Sequence, residues 1–105
     1  MAMSCIVVRT DFLERNPQAV FDFLEDFTQS AQFAMDNVEA AAALVGEFGI
    51  VPEPVALRAI PYSNISSVIG LEMKTAVQAY LMVLYEQNPA AVGGALPDEG
   101  FFFVP

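Results

Sequence analysis

Residues 16–36 read NPQAVFDFLEDFTQSAQFAMD, and this stretch decides the fold class. Asn16 is a favoured N-cap, and Pro17 suits the first helical position because the N–H it lacks would go unpaired there anyway. From that start Val20, Leu24, Phe27, Ala31 and Ala34 recur at helical spacing. Phe21, Phe23, Phe33 and Met35 widen the stripe well beyond one narrow face. A helix apolar over so broad an arc is expected to pack on more than one side.

The elements on either side follow from the same kind of reading. Asp36-Asn37 breaks the helix, and Asp36-x-x-Glu39 begins another whose run Ala40 to Val45 has high helix propensity. Gly49 is placed to cap its C-terminus. Two antiparallel helices with a tight joint are the expected result. Pro52 and Pro54 frame a short helix over about Glu53 to Ile60, and Pro61 is expected to end it by pushing the preceding residue out of the helical region. Tyr62 to Gly70 reads as extended chain or loop. The last long helix, about Leu71 to Gln87, takes Met73, Val77, Tyr80, Leu81 and Leu84 as its core stripe and stops at Asn88-Pro89. A turn-like tail from Gly93-Gly94 through Pro97-Asp98 leads to Phe101-Phe102-Phe103-Val104.

Towards the N-terminus, Thr10-Asp11 opens a short helical turn in which Asp11 and Glu14 are placed as a capping box. Ile6-Val7-Val8, beside Cys5, reads as a short buried strand. A lone strand cannot satisfy its own backbone hydrogen bonds, and this chain offers few segments to pair with it. The expected fold class is mostly α with one or two short strands, over a single segment 1–105 without an internal boundary.

Composition narrows the function. The chain has 105 residues, enough for one modest core that buries roughly 60–70% of the unfolded surface. Apolar residues make up 55%, nine of them Phe, above the usual ~45–50% even with Gly left out. Acids outnumber bases 13 to 4, and the bases Arg9, Arg15, Arg58 and Lys74 are scattered. Phosphate would be repelled, so nucleic acid is excluded as a partner and an anionic membrane surface is disfavoured. One cysteine allows no intrachain disulfide, and Cys5 is expected to be a small buried side chain in the strand. Met1 to Ser4 is too short to be the apolar leader of a lipoprotein cysteine, and no other targeting signal is visible. The start of the chain reads as a boundary inside a longer protein.

No histidine is present, which removes the commonest acid–base catalyst and metal ligand. Ser–His and Cys–His pairs are impossible, one cysteine makes no zinc cluster, and no phosphate loop surrounds Gly93-Gly94. The expectation is no enzyme, no catalytic residue, no metal and no cofactor. Asp22, Glu25 and Asp26 match no calcium-loop spacing and read as a solvated helix face. Asp98-Glu99 reads as a turn. Ser63, Asn64, Ser66 and Ser67 form the densest cluster of small polar groups. Such groups orient an anion or amide ligand, and they also populate ordinary loops. The Phe101–Phe103 run is either an exposed partner-binding patch or a terminal strand or tail laid on a core.

Ser4-Cys5-Ile6-Val7-Val8-Arg9, then Phe12 and Asn16-Pro17-Gln18-Ala19-Val20, resembles the strand-plus-helix entry late in solute-binding proteins of the nitrate/sulfonate/taurine type. Ala40 to Val45, Ala59-Ile60-Pro61 with Asn64-Ile65, Gly70 to Lys74, and Tyr80 to Glu86 followed by Asn88-Pro89, Val92-Gly93-Gly94 and Leu96-Pro97-Asp98 look similar to the phrases that follow. The likeness runs over nearly the whole chain, with moderately specific order and spacing. It implies the C-terminal part of a two-lobed α/β binding protein, the extracytoplasmic substrate-binding component of an ABC importer. The implied partners are an upstream lobe, an ABC permease and a small solute, often an anion or a heterocyclic precursor. The resemblance also places Tyr62, Ser63 and Asn64 near the hinge or cleft. A branch of the same fold that makes a thiamine precursor uses histidine and a cysteine-rich motif, and neither is here. As an isolated piece the chain is expected to form a homodimer. The rival expectation is a small self-contained helical interaction module.

Overall fold

The computed structural model describes residues 4–105, and the Met1–Met3 part of the leader reading lies outside them. The structure is 70% helical. Five α-helices follow one another: α1 Thr10–Arg15, α2 Pro17–Asp36, α3 Val38–Glu47, α4 Glu53–Ala59 and α5 Gly70–Gln87. Short 3₁₀ turns occupy Ile60–Tyr62, Pro89–Val92 and Glu99–Phe101. No strand forms among the described residues, which corrects the expected one or two. Ile6, Val7 and Val8 are exposed, and residues 4–8 make no hydrogen bond among the described residues. A β-branched run becomes a strand only when another strand supplies the ladder. Cys5, expected to be buried beside them, is exposed for the same reason.

The chain divides into two compact units, residues 18–67 and residues 1–17 with 68–105. In the first, α3 packs on α4 and on the turn Ile60–Tyr62. The core of this unit is Ala41, Ala42, Ala56 and Ile60, flanked by Ala34, Met35, Val38 and Val45. Small side chains let α3 and α4 approach closely: Ala42 is fully buried, and a Cβ on Gly46 would lie 3.0 Å from the Glu53 Cβ. The expected hairpin of α2 with α3 is therefore replaced by one of α3 with α4. Within this unit α2 contributes Ala34 and Met35 from its last turn. Its Phe23, Phe27 and Phe33 are exposed, so the broad stripe is not covered on every side as expected.

Local chemistry explains the joints. At the end of α3, Gly49 takes φ 70° and donates to the Gly46 carbonyl at 3.1 Å, while the Ile50 N–H reaches the Val45 carbonyl at 3.1 Å. These two bonds form a Schellman cap. The α-helix ends at Ala59, within a residue of the expected boundary at Pro61, but not because the residue before proline leaves the helical region. Ile60 stays helical (φ −55°, ψ −47°), and the chain tightens into a 3₁₀ turn in which Ser63 N–H bonds the Ile60 carbonyl. Asp11 makes no capping box either, because it pairs with Arg9 at 3.0 Å and Arg15 at 2.8 Å. Asn16 and Asn37 donate backwards to the Phe12 and Phe33 carbonyls, each at 3.3 Å, rather than capping forwards.

The α3–α4 joint yields a paired prediction. Gly46→Val inserts carbon against the Glu53 backbone and is expected to cost about 1–3 kcal/mol. Gly49→Ala meets no atom within 4 Å but must hold a left-handed φ, costing about 1–2 kcal/mol. Urea melts of the two variants check both losses, and any stabilisation by Gly46→Val would contradict the close approach.

In the second unit, α5 packs on the 3₁₀ turn Pro89–Val92. Asn88 caps that turn, its Oδ1 accepting from the Ala90 N–H at 3.2 Å. Gly93 and Gly94, at φ 79° and 90°, then reverse the chain. No described residue of this unit is buried, and Leu71, Tyr80, Met82, Val83 and Phe101 are exposed.

Candidate functional site

The polar corner after α4 is built by the 3₁₀ turn that continues that helix. Tyr62 stands at its end, 86% exposed. Ser63 turns its hydroxyl back to the Ala59 carbonyl at 2.8 Å, so its donor is already engaged. Asn64 takes φ 49°, a left-handed conformation that Asn tolerates better than most residues, and its side chain makes no hydrogen bond among the described residues. Ser67 bonds Thr28 of α2, Oγ to Oγ1 at 3.0 Å, tying the end of the loop to the middle of that helix. Tyr62, Ser63 and Asn64 thus share one exposed corner, with the Asn64 amide and the Tyr62 hydroxyl open to solvent.

Sequence reasoning passed over Arg58. It sits in the last turn of α4, four residues before Tyr62, and makes no ion pair among the described residues. It is the only basic residue between positions 18 and 67. That solitary position in an acidic stretch was the available signal. The phenol and amide of this corner suit a small anion or carbonyl compound by hydrogen bonding, and Arg58 is the base next to them in sequence. It holds no nucleophile–base pair.

A second feature lies in the other unit. A groove of about 410 Å³ runs between α5, which supplies Gln78, Leu81 and Met82, and the C-terminal tail, which supplies Leu96, Pro97 and Phe102. Lys74, one turn earlier on α5, pairs with Glu99 of the tail and lies 5.9 Å from the centroid of the Phe102 ring. Phe101 meets Phe102 edge to face at 5.2 Å.

Two acids of the α2 face are engaged within the helix: Gln18 donates to Asp22 at 2.9 Å and Gln29 to Glu25 at 3.3 Å. No group of three or more metal-ligating side chains converges among the described residues. No described helix is long and apolar enough to cross a membrane. Comparison with family models, curated proteins and solved structures finds no match to this chain.

Proposed function

We propose that the chain is the C-terminal part of an extracytoplasmic substrate-binding component of an ABC importer. The observation that carries this reading is the segment Ile6-Val7-Val8. Its residues favour a sheet, yet its side chains are exposed and its backbone groups have no partner among the described residues. An upstream lobe supplying the neighbouring strands would cover them. The exposed Phe23, Phe27 and Phe33 support the same reading, as does the ordered resemblance along the chain.

In the parent protein the two lobes hold a small solute between them. Solute binding shifts the open–closed equilibrium towards the closed form, which presents the solute to the permease. No bond in the solute is made or broken. Tyr62, Ser63 and Asn64, with Arg58 four residues before Tyr62, face the solute or the hinge.

The test is thermal melting of the continuous longer chain with nitrate, alkyl sulfonates and small heterocycles. A cognate solute at about one hundred times its Kd adds about 2.7 kcal/mol and raises Tm. Arg58→Ala or Asn64→Ala is expected to reduce that rise. No response to any small solute would overturn the reading.

A further inference from the structure

We infer that the C-terminal segment 96–103 is a strap held on α5 by charge, with Lys74 as its fastening and the groove as its consequence. Lys74 is the only basic residue between positions 68 and 105, where the acids are Glu72, Glu86, Asp98 and Glu99. Its side chain is only 21% exposed, although an ammonium favours water. Glu99 neutralises it and the face of Phe102 receives it, so the cation is held by two residues of the tail at once. This is the one ion pair joining α5 to the tail among the described residues.

The tail's turn is shaped locally, by Phe101 N–H to the Asp98 carbonyl at 3.2 Å and Phe102 N–H to the Glu99 carbonyl at 3.4 Å. It leaves the 3₁₀ turn Pro89–Val92 through two glycines in left-handed conformation, whose N–H groups donate to the Ala90 and Pro89 carbonyls at 3.2 and 2.8 Å, so the joint itself is fixed and the segment beyond it depends on its contacts with α5. Leu96, Pro97 and Phe102 form the tail wall of the groove. When the strap lifts, that wall leaves, and the half-buried Leu81 joins the already exposed Met82 in facing water. Lys74 is therefore a positioning residue for the groove. This inference stands independently of the transport reading.

Hydrogen exchange of residues 95–105, followed by mass spectrometry on the 105-residue chain, tests it. Lys74→Gln and Glu99→Gln should each speed exchange in this segment by about two- to fivefold, the range for a partly exposed ion pair. The charge swap Lys74→Glu with Glu99→Lys should restore part of the protection, because it remakes the ion pair but not the contact of a cation with the Phe102 face. Wild type in about 1 M NaCl, where the screening length is ~3 Å, should behave like the single variants. Glu72→Gln makes an equal change of charge on the same helix and should leave the tail unaltered. Unchanged exchange in Glu99→Gln, whose side chain is 79% exposed and tolerant of substitution, would overturn the inference. Failure of the swap to rescue would do the same.

Discussion

Purified alone, the 105-residue chain will bind a hydrophobic dye strongly and elute as a concentration-dependent dimer or larger species. Two separate surfaces lead to this expectation. One is the exposed run Ile6-Val7-Val8, whose backbone is an open template for another strand. Two copies pairing these segments antiparallel across a two-fold axis would satisfy the ladder that each lacks. The other is α2, which exposes Phe23, Phe27 and Phe33. Dye fluorescence several-fold above that of a compact control of equal mass is expected. Val7→Lys, at an 83% exposed position, should shift the elution towards monomer without loss of helix content. A monodisperse monomer that ignores the dye would favour the self-contained helical module instead.

Loss of the small α3–α4 core should be nearly complete in Ile60→Ala. This side chain is 7% exposed and is the largest member of a cluster otherwise made of Ala41, Ala42 and Ala56. Truncation at such a site costs about 2–5 kcal/mol. A unit of some fifty residues has about 3–8 kcal/mol in all, so most of its stability would go. Ala42→Leu attacks the same core from the opposite direction. Ala42 is fully buried, and added carbon must displace neighbours at about 1–3 kcal/mol. Ala43→Leu, on the exposed side of the same turn, should stay within about 0.5 kcal/mol of wild type. Denaturant midpoints by circular dichroism report all three. Equal midpoints for Ala42→Leu and Ala43→Leu would contradict the packing described.

Where a joint depends on nearby residues, it was legible in the sequence. Asn16-Pro17 starts α2, Gly49 caps α3, and Asn88-Pro89 closes α5, because each rests on backbone chemistry within a few residues. Features that depend on distant partners were not legible. Ile6-Val7-Val8 has strand composition and forms no strand, since composition cannot supply a neighbour. The α2–α3 hairpin was read from two helices with a tight joint, but Ala41 and Ala42 of α3 pack instead with Ala56 of α4 and with Ile60. Asp11 is a local exception: it was read as a cap and was taken by Arg9 and Arg15, only two and four residues away, a competition decided by side-chain reach. Of the candidate site, the polar run Tyr62–Asn64 was visible as composition. Arg58 was passed over because it belongs to the preceding helix. The groove beside Lys74 was invisible because it exists only once the tail folds back onto α5.

The proposed solute-binding function requires an upstream half, so the coding sequence before Met1 tests the proposal most directly. It predicts an open frame continuing for roughly 200 residues, the span of one to two further domains, in an α/β pattern that begins with an export signal. An in-frame stop immediately before Met1, together with a natural product of this length that runs as a stable monomer, would contradict it.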